Sequence, residues 1–216
     1  MNALEIPGLA RLATGAGGLP RYEIATPDGE AHVYLHGAHV SHFAPAGKRP
    51  VLFMSRASRF EPGFPIRGGI PVIFPWFGLR EGLPQHGFAR TQSWTPESLV
   101  RQADGRVALT LSLKPNAQTE AIWTEPNRWA LSYRVIVGPE LTLEFGIENR
   151  GLTPFRCEEA LHTYFQVGDL RQIKIRGLEG APYIDKDDGM KPKRQGSDPK
   201  RFVEAETTHL YMNTAA

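Results

Sequence analysis

The stretch LSYRVIVGPELTLEFGI, residues 131–147, indicates the fold class of this 216-residue chain. Apolar residues occupy alternate positions in 131–137, with Ile136 as an exception, and again in 141–147. A period of two is typical of a strand that buries one face. Only Gly-Pro-Glu, residues 138–140, separates the two runs, and so short a connection joins antiparallel neighbours. The stretch therefore predicts a β-hairpin.

Strand patterns recur along the rest of the chain. The run Val107–Leu113 has the same alternation of apolar and polar residues. Shorter strands are predicted at 22–25, 31–36, 51–54, 70–74, 161–167, 173–175 and 209–212. No segment has a sustained helical period, and turn sequences such as Pro27-Asp28-Gly29 separate the strands. We therefore predict an all-β fold in which antiparallel sheets pack face to face.

The composition is that of a globular domain rather than a disordered chain, with 41% hydrophobic and 22% charged residues. The 25 Lys or Arg and 23 Asp or Glu nearly balance, which argues against a nucleic-acid or membrane-surface binder. No stretch approaches the ~18 apolar residues of a membrane span. Since β sandwiches often run to about 200 to 250 residues as one unit, we expect a single domain over 1–216.

Cysteine usage and the first residues bear on the cellular compartment. Cys157 is the sole cysteine of the sequence, which excludes an internal disulfide framework and a multi-cysteine metal site. Residues 1–12 include Glu5, Pro7 and Arg11, so they lack the apolar run of a signal peptide. We expect a reducing, cytoplasmic location.

The segment 185–208 differs from the rest of the chain. Twelve of its 24 residues are charged, and it also contains Gly189, Pro192, Gly196 and Pro199. It has no apolar period that would bury one face. We therefore predict a long solvated loop.

The densest unusual sequence is RGGIPVIFPWFG, residues 67–78, which is followed by PQHGFAR, residues 84–90. The two glycines after the arginine let the backbone approach a ligand closely. Phe74, Trp76 and Phe77 have the flat apolar faces that sugars need. The alternative is that the aromatic residues are core and the glycines are turns, and for an isolated aromatic cluster that alternative is favoured.

A second dense stretch is CEEALHTYF, residues 157–165. His162 titrates near neutrality, so it can act as a general acid or base at cellular pH. A core histidine satisfied by one hydrogen bond explains the residue equally well, and this stretch does not decide between the two.

Four histidines lie close together near the N-terminus, at His32, His36, His39 and His42. The cluster suggests a metal site, but Gly37 breaks the strand and no carboxylate joins the histidines. We therefore expect surface or rim histidines and no bound metal.

Taken together, these motifs resemble the glucose-6-phosphate 1-epimerase branch of the aldose 1-epimerase (mutarotase) family. The resemblance spans Val51 to roughly Tyr183 and is carried, in order, by RGGIPVIFPWFG, LPQHGFARTQSW, ALHTYF and RGLEGAPYID. It implies a galactose-mutarotase-like β supersandwich, shortened at its C-terminus. It also implies interconversion of the α and β anomers of an aldohexose 6-phosphate, with glucose 6-phosphate the expected substrate and no cofactor.

The resemblance also assigns roles to polar residues. His162 matches the general acid that protonates the ring oxygen as the sugar ring opens, and His86 matches the histidine that hydrogen-bonds the sugar near its ring. Arg67 and Arg90 match the arginines that hold the phosphate, for which the guanidinium fork is well shaped.

Aromatic side chains complete the expected pocket. Phe74 and Trp76 are expected beside the sugar as further substrate-binding residues. The partner that the resemblance implies is therefore a hexose 6-phosphate, and we expect neither nucleic acid nor membrane as a partner. The chain is expected to be a monomer or a homodimer.

The general base is an expected part of the machinery that the resemblance does not locate in this sequence. The family takes the anomeric proton with a glutamate far along its C-terminal part, and the 216 residues are expected to end before that segment. Glu158 shares strand parity with His162 but is a poor substitute, because a base must be placed to within about an ångström. Two hypotheses stay open: an epimerase, impaired if the base is missing, and a catalytically silent sugar-phosphate-binding domain.

Overall fold

The computed structural model describes residues 4–124, 128–201 and 207–214. Within these residues it contains fifteen strands, one short α-helix and three 3-10 helices. Contacts divide the chain into two compact units, Met1–Gln166 and Val167–Ala216. All the strand pairs of the sheets are antiparallel, so the predicted all-β, antiparallel fold class is confirmed.

The first unit holds the strands β1 (Ala10–Thr14), β2 (Pro20–Thr26), β3 (Gly29–Tyr34), β4 (His39–Pro45), β5 (Val72–Ile73), β6 (Thr95–Arg101), β7 (Val107–Leu113), β8 (Trp129–Val137), β9 (Leu141–Asn149) and β10 (Ala160–Leu161). The α-helix of this unit is α1 (Ala117–Ile122). The second unit holds β11 (Lys174–Ile175), β12 (Pro182–Asp185), β13 (Lys191–Arg194), β14 (Lys200–Arg201) and β15 (His209–Tyr211). No helix in the described ranges is long and apolar enough to cross a membrane.

The predicted hairpin is present as β8 and β9, which pair from Trp129 opposite Asn149 to Val137 opposite Leu141. It forms one edge of a four-stranded sheet with the order β6-β7-β8-β9. A second four-stranded sheet has the order β1-β2-β3-β4. The alternation seen in the sequence therefore corresponds to real strands with one buried face.

The two four-stranded sheets share one hydrophobic core, in which alternate side chains of β2, β3, β7 and β8 are nearly inaccessible to solvent. Its central members are Tyr22, Ile24, Val33 and Phe43 from one sheet and Leu109, Leu111, Leu131, Tyr133 and Val135 from the other. At roughly 25 cal/mol per Å² of apolar surface, this burial is the main favourable contribution to folding. This core keeps the first unit rigid, and the residues of the candidate site belong to that unit.

The second unit contains strands where the sequence predicted a loop. β13 and β14 lie inside 185–208, and β13 pairs with β12 although all four of its residues are exposed. Lys193 adds ion pairs to this backbone pairing, because its Nζ lies 2.9 Å from a carboxylate oxygen of Asp185 and 2.7 Å from one of Asp188. β13 has no alternation of apolar and polar residues, which is the pattern used to predict a strand, and its side chains form ion pairs instead. Residues 202–206 of the predicted loop lie outside the described residues.

The glycine pair Gly68-Gly69 is required by packing within the protein. Both residues have positive φ, at 98° and 57°. A Cβ on Gly69 would lie 2.3 Å from the carbonyl oxygen of Val40 and 2.6 Å from Nε2 of His39. The close approach that the sequence suggested is therefore made to the chain's own backbone.

Gly69→Ala is expected to destabilise the fold by about 2 to 4 kcal/mol. About 1 to 2 kcal/mol comes from the left-handed backbone, and the rest comes from overpacking against Val40. Gly47→Ala is the matched control, because Gly47 has φ 66° but no heavy atom within 4 Å of the position that a Cβ would take. Urea unfolding followed by circular dichroism should show the larger loss at Gly69, and equal losses would contradict the packing argument.

Candidate active site

Two chain segments, one on each side of the β5–β10 ladder, carry the candidate site. Ile73 lies opposite Ala160, and Val72 lies opposite Leu161. The ladder is short because prolines flank β5 on both sides, and a proline cannot donate a backbone hydrogen bond. The pairing fixes which side chains of the two segments meet.

Backbone bonds continue the ladder on the 158–164 side. The N–H groups of Glu158, His162 and Tyr164 donate to the carbonyls of Pro75, Pro71 and Gly69 at 2.9, 3.0 and 2.9 Å. Beyond β10 the segment turns, because the N–H of Thr163 donates to the carbonyl of Leu161 at 3.0 Å across His162, and ring contacts instead show that His162 and Tyr164 lie together. The shared parity of Glu158 and His162 therefore stays a prediction.

Four rings form a compact cluster at this edge. The centroid of His162 lies 5.1 Å from that of Tyr164 and 5.7 Å from that of His86. Phe77 lies 4.7 Å from His86 and is nearly parallel to His162, at 6.4 Å with 16° between the planes. The structure thus brings together the two histidines that the sequence singled out, although 76 positions separate them along the chain.

The backbone of its own loop holds His86 in place. Its N–H donates to the carbonyl of Gly78 at 2.8 Å, and its Nδ1 accepts from the Gly78 N–H at 3.0 Å. Because Nδ1 is an acceptor, the neutral ring carries its proton on Nε2. His86 has φ 64°, a strained value for a residue with a side chain, and such strain is a feature of functional sites.

A concentration of positive charge lies beside the rings. Arg90 is half-buried, its Nη2 donates to the carbonyl of Gln85 at 2.6 Å, and its buried Nε has no partner. Burial and the charge of Arg67 lower the pKa of Arg90, while Tyr164 acts in the opposite direction. Within the described residues, no ion pair includes either arginine. Two uncompensated guanidinium groups close together favour an anionic ligand.

His162 shares the electrostatic environment of the arginines. Burial lowers the pKa of His162 below its ordinary value, and the positive charge of Arg90 lowers it further. The ring is therefore predominantly neutral at pH 7 when no anion is bound.

Phe74 and Trp76, expected beside the sugar, lie behind the ring cluster. Phe74 is fully buried and packs edge-on against Phe88, and Trp76 is 1% exposed with its Nε1 donating to the carbonyl of Pro84 at 2.9 Å. Rings enclosed in this way support the site by packing and present no face to a ligand. Phe77, by contrast, is 36% exposed.

Two members of the ring cluster are not among the site residues predicted from the sequence. Phe77 was named in the sequence with Phe74 and Trp76 as a flat apolar face, but only Phe74 and Trp76 were then expected beside the sugar. Tyr164 lies two positions after His162 on the same segment, and that spacing is the signal that identifies it.

Two of the four histidines near the N-terminus are buried in the protein. His36 and His39 are 5% and 2% exposed, so the prediction of surface or rim histidines is wrong for these two. Burial lowers the pKa of His39 to about 3, which keeps the ring neutral in the core. His32 and His42 contact each other at 4.9 Å between centroids. Among the described residues, no group of three His, Cys, Asp or Glu side chains is arranged to hold a metal.

A cavity of about 470 Å³ lies elsewhere in the first unit, lined mainly by residues 5–11 and by parts of β2 and β3. Three of its charged residues are already paired, since Arg11 contacts Glu23 at 2.8 Å and Glu30 contacts His42 at 2.9 Å. It includes none of the ring-cluster residues. We therefore place the candidate active site at the ring cluster and the two arginines.

Comparison with known proteins shows which family and fold the chain resembles. The sequence profile described as aldose 1-epimerase matches residues 20–215. A relative from Escherichia coli K12 is 39% identical over 189 residues, which cover 87% of this chain and 61% of the relative. A relative from Salmonella typhimurium LT2 is 35% identical over 192 residues, which cover 88% and 62%. Both relatives are provisionally named glucose-6-phosphate 1-epimerase, and the chain spans just over three fifths of their length.

Solved structures extend the comparison to the fold. A crystal structure of a provisionally assigned mutarotase from Salmonella typhimurium superposes with a TM-score of 0.87 at 30% identity, covering 99% of this chain and 70% of that one. A galactose mutarotase-like protein from Clostridium acetobutylicum gives 0.68 at 13% identity, covering 87% and 64%, and supports the fold alone. The predicted galactose-mutarotase-like fold is confirmed. Ordered motifs, fold and a profile match over nearly the whole sequence agree, and the chain belongs to the aldose 1-epimerase family.

Proposed function

We propose that the candidate active site binds an aldohexose 6-phosphate, most simply glucose 6-phosphate, and that the protein interconverts its α and β anomers. The observation that carries the proposal is the placement of His86 and His162, 5.7 Å apart, beside two arginines without acidic partners among the described residues. The names of the relatives from Escherichia coli and Salmonella typhimurium support the same substrate. Because the chain covers about 61% of the first relative, the activity of the whole protein is part of the proposal.

The phosphate is assigned to Arg67 and Arg90. A planar guanidinium donates two parallel hydrogen bonds to a phosphate, and Arg90 forms no ion pair with a described carboxylate that would compete with one. Exposed Arg67 contributes its charge at the entrance, next to Arg90. The sugar ring then extends toward the ring cluster, where Phe77 supplies the exposed aromatic face.

His162 is assigned the proton transfer to the ring oxygen. A phosphate monoester carries between one and two negative charges at pH 7, and bound beside Arg90 it offsets the charge that lowers the pKa of His162. Substrate binding thereby favours the protonated ring, which is the form that acts as a general acid. A sugar without phosphate leaves His162 neutral.

A second candidate function is binding without rapid anomerisation. Ring opening also requires a base that takes the anomeric proton. Among the described residues, the carboxylate that contacts the segment carrying the ring cluster is that of Glu158, whose Oε2 already accepts the backbone N–H of Phe77 at 2.8 Å. The two candidates differ in rate and not in ligand, so one set of measurements separates them.

The cellular setting belongs to the same proposal. Hexose phosphates are intracellular metabolites, and Cys157 is a partly buried free thiol, which suits a reducing cytoplasm. We assign no nucleic-acid or membrane partner and propose a monomer or homodimer.

Glucose 6-phosphate is expected to bind much more tightly than glucose, because the phosphate contacts are charge-assisted. Arg90→Gln should weaken glucose 6-phosphate binding by about 1.5 to 3 kcal/mol, or roughly 10- to 150-fold in Kd, and leave glucose binding nearly unchanged. Arg134→Gln is the control, because Arg134 pairs with Glu144 on the β8–β9 hairpin. Equal affinities of the two sugars by calorimetry would contradict the phosphate assignment.

The pKa of His162 is expected to rise when an anion neutralises Arg90. In the protein without ligand, the pKa of His162 is lowered. Its pKa measured by NMR titration of the ring should therefore lie below the ordinary value of about 6.5. Binding of glucose 6-phosphate or the substitution Arg90→Gln should raise the pKa of His162, whereas glucose should not change it. In the variant the pKa should stay below its ordinary value, because burial still lowers it. An unchanged His162 pKa in both cases would refute the coupling.

His162→Asn is expected to slow anomer exchange by ~100-fold or more while leaving glucose 6-phosphate affinity nearly unchanged, as for the loss of a proton donor. His86→Asn should weaken binding as well. Two-dimensional exchange NMR of the α and β anomeric protons, with buffer alone as baseline, measures both effects. Binding of glucose 6-phosphate with exchange no faster than in buffer would instead support the second candidate function.

A further inference from the structure

Glu158 connects the two segments of the candidate site through its side chain. Its backbone N–H belongs to the ladder, donating to Pro75 at 2.9 Å, and its Oε2 accepts the Phe77 N–H at 2.8 Å. Nη2 of Arg80 lies 3.8 Å from the same oxygen. The carboxylate is thus held on one segment and bonded to the other, although 81 positions separate Glu158 from Phe77.

The loop bonded in this way carries two members of the ring cluster. Phe77 contacts both histidines with its ring, at 4.7 Å from His86 and 6.4 Å from His162. The next residue, Gly78, makes both of the backbone hydrogen bonds that hold His86. Fixing the Phe77 backbone therefore fixes the orientation of His86 toward His162.

We propose that Glu158 is a positioning residue, which aligns Phe77 and His86 with His162, and that it is not the general base. The proposal rests on the proposed function only in its consequence for sugar binding. Its structural basis is the hydrogen bond from the Phe77 amide, which commits the carboxylate oxygen to the loop.

The exposure of Glu158 makes the proposal testable in a folded protein. Its side chain is 57% exposed, and that of Arg80 is 47% exposed. A hydrogen bond and a long ion pair at such a surface contribute little to global stability. Loss of the bond should therefore disturb the loop locally while the shared core of the two sheets stays intact.

Three variants separate positioning from base catalysis. Glu158→Ala removes the acceptor of the Phe77 amide, whereas Glu158→Gln keeps an acceptor oxygen and removes only the charge and the basicity. Glu159→Ala is the matched control, since Glu159 is an exposed neighbour on the opposite parity of the same segment.

The test combines NMR of the sugar-free protein with calorimetry and exchange NMR. In Glu158→Ala, the Phe77 amide proton should move upfield and exchange with solvent at least ~10-fold faster, and glucose 6-phosphate should bind ~10-fold more weakly. Glu158→Gln should restore amide protection, binding and anomer exchange to within about threefold of wild type. Glu159→Ala should match wild type.

Two results would overturn the proposal. One is a Glu158→Ala variant in which the chemical shift and the solvent exchange rate of the Phe77 amide proton are unchanged. The other is a Glu158→Gln variant that keeps the Phe77 amide and sugar affinity but loses anomer exchange, which is the behaviour of a general base. Failure of the proposed function is seen separately, as wild-type protein that does not bind glucose 6-phosphate, and the amide comparison still decides the role of Glu158 in that case. If Glu158→Ala does not fold, Glu158→Gln alone distinguishes a base from a positioning residue.

Discussion

The candidate site depends on a few backbone hydrogen bonds between residues 69–75 and 158–164. Through them, His162 and Tyr164 are set opposite the segment that leads into the His86 loop. Without this pairing, the histidines belong to unconnected parts of the chain. Backbone bonds set the two segments opposite each other, and two side-chain acceptors, Oε2 of Glu158 and Nδ1 of His86, complete the alignment of the ring cluster.

Charge is organised around the same ladder. Arg90 is half-buried and its charge acts on His162, while Arg67 is exposed and its charge acts on Arg90. The protein thereby keeps a destabilised cation beside a titratable ring, and natural proteins accept such local cost mainly at functional sites. In the proposed function, an anion that neutralises Arg90 raises the pKa of His162 through this charge coupling.

The limits of sequence analysis have physical causes that particular residues illustrate. The hairpin at 131–147 was predictable because its period of two reflects one buried face, and this property is local. β4 was not predicted, because His39 and His42 interrupt the apolar pattern of a strand whose burial is set by its neighbours. β13 was not predicted, because ion pairs of Lys193 stabilise it instead of apolar contacts.

The same distinction holds for the site. The histidines and arginines were found through motifs that resemble a family, and no pattern in the residues themselves assigned their roles. Phe77 was not preferred over Phe74 and Trp76, because composition shows that a ring is present and only tertiary packing shows which ring is exposed. The bond from Phe77 to Glu158 spans 81 positions and has no local sequence pattern.

The unequal exposure of the two arginines has a kinetic consequence. The charge of exposed Arg67 acts on an approaching anion through solvent, where 0.15 M salt largely screens the attraction at separations beyond about 8 Å. Half-buried Arg90 acts at contact, where screening is weak. For the proposed phosphate site, ionic strength is therefore expected to govern chiefly how fast the anion arrives and to have a smaller effect on how long it stays.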